Sequence, residues 1–122
     1  MQLAAARVFV RDIVAARDYY EKCLGLELGH DGTDEGFCRF DTGQVQLVVE
    51  LVTADEPPEE QAMVGRFTGL SFGVDDVMAA HAELAARGVR FVGAPERQFW
   101  GGWLATLVDP DGNEMQLVQF PG

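Results

Sequence analysis

Gly69-Leu70-Ser71-Phe72-Gly73 has the spacing of a hydrolase nucleophile elbow. There a serine on a sharp strand-to-helix turn attacks a carbonyl, assisted by a histidine and an acid. The flanking pattern argues against that chemistry, because Leu70, Phe72 and Val74 alternate strictly through the motif and place Ser71 inside a strand. Other residues could do chemistry elsewhere. Glu50 is a candidate general base. Arg7 suits a carboxylate or another anion. Trp100-Gly101-Gly102-Trp103, with Phe99 beside it, could form an aromatic wall on which a planar ligand stacks. Each has a plainer reading: Arg7 and Glu50 neutralise one another, and the tryptophans pack along an edge. His30 and His81 read as surface side chains, Cys23 as helix packing, and Tyr19 and Tyr20 as helix-surface and core packing. Cys38 and Arg39 fall on a strand whose facing the pattern leaves open.

These residues sit on an internal repeat. Leu3 to Val10 reads as a strand, Asp12 caps a helix with the buried stripe Ile13, Ala16, Tyr20 and Leu24, and Gly25 ends it. The same order returns downstream, with a strand at Leu70 to Val74, a cap at Asp76, a stripe of Val77, Ala80 and Leu84, and a stop at Gly88. A shift of 64 positions superposes cap on cap and stripe on stripe. The halves end alike. Phe40-Asp41-Thr42-Gly43 leads into Val45-Gln46-Leu47-Val48, and Val108-Asp109-Pro110-Asp111-Gly112 leads into Met115-Gln116-Leu117-Val118, each a hairpin. The expected organisation is one domain: a βαβββ module over 1–52, a Pro- and acid-rich linker over 53–66, and a second module over 67–122. The fold class is α+β, a cupped, incomplete-barrel mixed sheet with helices on the outside.

Alternation assigns the faces. Leu47, Val49, Met115 and Leu117 should face the helices, leaving Gln46, Val48, Glu50, Gln116 and Val118 for the cup. From the leading strands Ala5, Arg7 and Phe9, then Gly69, Ser71 and Gly73, should join them. The expected pocket is Arg7, Phe9, Gln46, Val48, Glu50, Ser71, Trp100, Trp103 and Gln116.

Bulk properties narrow the partners. The 122 residues are 48% hydrophobic and 24% charged, which is ordinary globular composition. A net charge of −11 makes nucleic acid an unsuitable partner. Seven acids lie in two loops, at Asp31, Asp34 and Glu35 and at Asp55, Glu56, Glu59 and Glu60, where charge reads as a solvated face. No apolar run is long enough to cross a bilayer, and two cysteines make no disulfide framework; both fit a cytoplasmic protein with no membrane partner.

Val10-Arg11-Asp12-Ile13, Tyr19-Tyr20, Leu24-Gly25-Leu26, Val74-Asp75-Asp76-Val77 and Asp109-Pro110-Asp111-Gly112-Asn113 resemble the vicinal oxygen chelate superfamily, which includes glyoxalases, extradiol dioxygenases, and fosfomycin- and bleomycin-resistance proteins. The resemblance implies the cupped fold and, in its enzymes, a divalent metal on the cup floor. The implied ligand positions are Ala5, Gln46, Gly69 and Gln116. Two have no ligating side chain and two are neutral amides, so the resemblance points to a branch without the metal site and without a cofactor. The function it implies is metal-independent small-molecule binding, of an antibiotic-like compound or metabolite, with a homodimer as the usual assembly. The alternatives are a glyoxalase-like lyase, isomerase or dioxygenase with a displaced metal or a Glu50 base, and a non-catalytic accessory module.

Overall fold

A computed structural model describes residues 1–122. The first module runs β1 (Ala5–Val10), α1 (Ile13–Asp18), β2 (Glu27–Gly32), β3 (Phe37–Asp41) and β4 (Gln46–Leu51). After a helical turn, α2 (Pro58–Gln61), the second runs β5 (Phe67–Gly73), α3 (Val77–Ala86), β6 (Arg90–Phe91), β7 (Glu96–Arg97), β8 (Trp103–Val108) and β9 (Glu114–Gln119). The fold class is the expected mixture of helices and mixed sheets. One expected strand of the second module is divided into β6 and β7, because Gly93 and Pro95 interrupt it and proline has no N–H for the ladder. No helix is long and apolar enough to cross a membrane.

Both modules start their helix with the same device. Asp12 accepts from the Ala15 N–H at 3.0 Å, and Asp76 accepts from the Ala79 N–H at 3.1 Å. The helices then diverge. α1 widens into a π-helical turn over Tyr19–Cys23, and this brings two consecutive rings inward. Tyr19 and Tyr20 are both buried, edge to face, with centroids 5.2 Å apart. Tyr19 is thus a core residue rather than a helix-surface one, because a regular α-helix would turn it away from the Tyr20 side.

The strands form two sheets, ordered β1-β4-β3-β2 and β5-β9-β8-β6, with β7 pairing beside β6 on β8. In each the leading strand runs parallel to the last one, and the remaining pairs are antiparallel. α1 packs on β3 and β4, and α3 on β8 and β9. One core joins the modules: Val8, Tyr20, Phe40 and Val49 from the first, and Val77, Leu107, Met115 and Leu117 from the second.

The sheets do not meet edge to edge within the chain. β5 has no strand partner beyond β9, and the outer edge of β1 carries only an isolated Phe9–Val64 bridge. The two halves are instead held by the β8–β9 turn. The Asn113 side chain donates to the Phe9 carbonyl and to Asp109 Oδ2, and accepts from the Gly65 N–H. Asp109 also takes the Tyr20 hydroxyl at 2.7 Å, and Asp111 accepts from the Arg11 N–H. Gly112, at φ 84°, supplies the left-handed conformation this tight turn needs. The Asp-Pro-Asp-Gly-Asn motif therefore works as a clasp between modules.

Candidate functional site

The burial of Val8, Val10, Cys38, Phe40, Leu47 and Val49 turns the alternate residues of β1, β3 and β4 away from the core. Strand register sets Ala5 beside Gln46, Arg7 beside Val48 and Phe9 beside Glu50. β3 adds Phe37 next to Glu50 and Arg39 next to Val48. Five of the sequence-predicted residues, Arg7, Phe9, Gln46, Val48 and Glu50, thus share one open face. Cys38 belongs to the core, where burial pushes its thiol up, and Arg39 to the open face.

Arg7 grips Glu50 with two parallel bonds, Nε to Oε1 at 2.7 Å and Nη2 to Oε2 at 2.8 Å, while its Cζ lies 5.1 Å from the Phe9 ring centroid. The ion pair read from sequence as the plainer alternative is present. It occupies both Glu50 oxygens with guanidinium protons, so neither oxygen is free to approach a ligand proton in this arrangement. Beside the pair opens a cavity of about 810 Å³ lined by Asp34, Glu35, Phe37, Val48, Glu50 and Glu56, among others. The loop acids expected to face only solvent are therefore partly gathered around this face. Glu56 shares a hydrogen bond with Glu60, which holds its carboxyl above the usual range.

The remaining predicted residues belong to the second module, with Ser71, Trp103 and Gln116 on its sheet and Trp100 in the turn before β8. Ser71 pairs with Gln116 across β5 and β9, and the Gln116 amide donates to Thr106 Oγ1 at 3.3 Å. A separate cavity of about 340 Å³ is lined by Gln116, Thr106, Leu104, Gln98 and Glu96 with Val92 and Ala94. No cavity combines the first open face with Gln116 or Ser71. Ser71 sits inside β5, as alternation indicated. The histidines are engaged elsewhere, His30 with Glu35 and His81 with the Gly93 carbonyl. His81 is half-buried against the Phe91 ring, 4.2 Å away, rather than facing solvent, because β6 returns beneath α3.

The two tryptophans separate. Trp103 is in phase with Ala105 and Leu107 and packs against the core. Trp100 is 38% exposed and lies against Phe120, with centroids 6.3 Å apart, while Phe99 is fully exposed. Gly102 makes room for the Trp100 ring, since a Cβ there would collide with the ring and with the Gln119 carbonyl. Replacing Gly102→Ala should drive Trp100 out and cost about 1–3 kcal/mol. In a Trp103→Phe background, Trp100 emission should shift to the red and acrylamide quenching should rise. An unchanged spectrum would show that the ring is not held there.

The family-implied ligand positions test poorly for a divalent ion. The Gln46 Oε1 is buried without a partner, which marks it as an acceptor awaiting a donor. Ala5 beside it and Gly69, on a bulge at φ 77°, have no ligating side chain, and Gln116 offers only a neutral amide oxygen, its nitrogen donating to Thr106. Nowhere in the chain do three His, Cys, Asp or Glu side chains converge as a metal cage. These donors do not fit the group.

Architecture and comparison agree. The family model described as the glyoxalase/bleomycin resistance protein/dioxygenase superfamily matches residues 2–117, and the chain belongs to that superfamily. A member from Sphaerobacter thermophilus DSM 20745 is similar in structure at TM-score 0.82, with 29% identity over 98% of this chain and 97% of that one. TnmS3, an antibiotic binding protein from Streptomyces sp. CB03234, is 30% identical over 100% of this chain and 97% of its own, at TM-score 0.76. A bleomycin resistance protein of Klebsiella pneumoniae is 62% identical over 26 residues, a match that spans 21% of this chain and 21% of that protein.

Proposed function

We propose that this protein binds and sequesters a small molecule, an antibiotic-like compound or a metabolite, without a metal and without transforming it. The observation that carries the reading is the donor set on the two open faces. Ala5 with Gln46 and Gly69 with Gln116 offer neutral amides where an enzyme of this superfamily would need charged or imidazole ligands. Two carboxylates on the same sheet have cationic neighbours of their own: Glu50 is tied to Arg7, and Asp41, which pairs with Gln46, lies 3.9 Å from Arg39. The orphaned Gln46 oxygen suits a ligand N–H or O–H. Likeness to an antibiotic binding protein over the full chain supports the same class.

The binding unit is a homodimer in this reading. Within one chain the open faces of the two sheets share no cavity, and the edges of β1 and β5 lack strand partners. A second copy placed so that its second module faces this first module would bring Arg7, Phe9, Gln46 and Val48 opposite Ser71 and Gln116. A cytoplasmic location is part of the same reading, and it is supported by Cys23 and Cys38 being unpaired, which suits a reducing compartment.

Chelator-treated protein, screened by melting against a diverse antibiotic and metabolite library, tests the reading. A ligand at a hundred times its Kd should add about 2.7 kcal/mol of stability. The compound should be recovered unchanged, and light scattering should give the mass of two chains. Binding that vanishes with chelator and returns with a divalent ion, or recovery of an altered compound, would overturn sequestration. A monomer that binds with full affinity would overturn the shared cup.

A further inference from the structure

The internal repeat also relates two clefts on the helix side of the sheets, neither of which includes the Arg7–Glu50 face. In one, of about 270 Å³, Tyr19 lies against Gly88, Arg90, Val108, Asp109 and Pro110. In the other, of about 450 Å³, Glu83 and Leu84 on α3 lie with Leu24, Leu26 and Thr42. A shift of 64 positions carries Tyr19 onto Glu83, Tyr20 onto Leu84, Leu24 onto Gly88 and Leu26 onto Arg90. The clefts are therefore pseudo-equivalent, and what fills them differs. In the first, Tyr20 buries its ring and donates to Asp109, and Tyr19 donates to the Val108 carbonyl at 3.2 Å. In the second, Leu84 is smaller than a phenol, and Glu83 swings outward to Arg87 with its side chain 64% exposed.

A neighbour that supports the Tyr20 ring is also missing. Phe40, 5.9 Å from Tyr20 by centroids, pairs with Leu47; the residue that pairs with the matching Leu117 is Ala105. Phe72 stands where the first module has Val8 and restores part of the volume, yet the larger cleft remains. Its lining is mainly apolar, with Leu24, Leu26, Phe72, Val74, Leu84 and Leu117, while Thr42, Glu83 and Arg87 provide a polar rim and Ser71 and Gly73 of the β5 edge strand close one side. Apolar space of this kind accepts a matching ring, because burial replaces water contacts with close packing.

We propose that the cleft between α3 and the Leu24–Leu26 segment is a second binding site, for a single-ring phenol. The ligand ring occupies the position that Tyr20 fills in the first module, and its hydroxyl points to the Thr42 and Arg87 rim. This site is separate from the Arg7–Glu50 face, and it borders the second open face only where Ser71 and Gly73 form the edge of β5.

The probe is p-cresol, the side-chain analogue of tyrosine, titrated against the full chain while leucine and valine methyl signals are followed by NMR. Saturable shifts of the Leu24, Leu26 and Leu84 methyls, with Kd on the order of 1 mM or tighter, are expected. Leu84→Tyr should refill the cleft, weaken p-cresol at least about tenfold and raise the melting temperature. Should that variant fail to fold, Leu84→Phe and the wild-type shift pattern decide alone. Absence of saturation overturns the proposal. So do shifts centred on Val48 and the open faces, and so does p-cresol binding that appears only when the protein is diluted to monomer, which would make a second copy the occupant.

Discussion

Replacing Asn113→Ala should lower stability by about 3–5 kcal/mol, equivalent to a fall of roughly 10–20 °C in melting temperature for a chain this size. Asn113 is fully buried, and its amide serves three parts of the molecule at once. It donates to the Phe9 carbonyl at the end of β1 and to Asp109 Oδ2, both near 2.8–2.9 Å, and accepts the Gly65 N–H from the linker at 2.8 Å. Alanine strips all three and leaves a carbonyl, an amide N–H and a carboxylate oxygen without that partner in the interior. Asn113→Asp retains an acceptor for Gly65 but sets a second carboxylate against Asp109, so it should be comparably damaging. Urea melts of the three proteins would decide. A loss below 1 kcal/mol for the alanine variant would show that the modules are held by apolar packing instead.

Raising the pH above 10 should unfold the protein steeply. Burial pushes the phenol of Tyr20, and that of Tyr19, well above the ordinary tyrosine value of 10.0, and the charge of Asp109 pushes both in the same direction. The sign follows from proton linkage. Both hydroxyls keep their protons in the folded state, whereas the unfolded chain releases them near 10. Their contribution is complete below pH 10 and is lost as pH rises from there toward the folded-state values. Each tyrosine gives a slope of roughly 1.4 kcal/mol per pH unit, so the two together give roughly 3. These are the chain's only tyrosines, so tyrosinate absorbance should rise together with loss of secondary structure rather than before it. Tyr20→Phe should be less stable at neutral pH, because Asp109 loses its 2.7 Å donor, yet should halve the alkaline slope. Ionisation that precedes unfolding would mean that the phenols are open to solvent.

The fold was legible because its signals are local and doubled. Asp12 and Asp76 cap by the same bond, and Gly25 and Gly88 stop both helices with left-handed backbone at φ 75° and 97°. Alternation also separated Leu47 and Val49 from Gln46, Val48 and Glu50, since a strand with one face in a core has no other way to distribute its side chains. The pocket was less legible. Membership of a face says nothing about how the two sheets sit against each other, and that is fixed here by Asn113 and Asp109 holding the end of β1, a contact 104 positions long. Trp103 was missed as a core residue because the strand that fixes its phase, β8, begins at that residue. The burial of Tyr19 was hidden because it depends on one widened helical turn, for which 3.6-residue periodicity carries no sign. The gathering of Glu35 and Glu56 around Glu50 arises from two loops distant in sequence that converge only after folding.

The hydrogen bond from Asn113 to the Phe9 carbonyl has a consequence for synthesis. During translation the first strand emerges long before the turn that completes its end, and Tyr20 must wait equally long for Asp109. The amino-terminal half therefore has no finished interior while it leaves the ribosome, and final consolidation falls after residue 113 is free. Such distant closure slows folding, because the whole intervening chain must be ordered before the contact can form. Fragments that end before the last hairpin should accordingly be targets for chaperones and proteases rather than autonomous half-proteins.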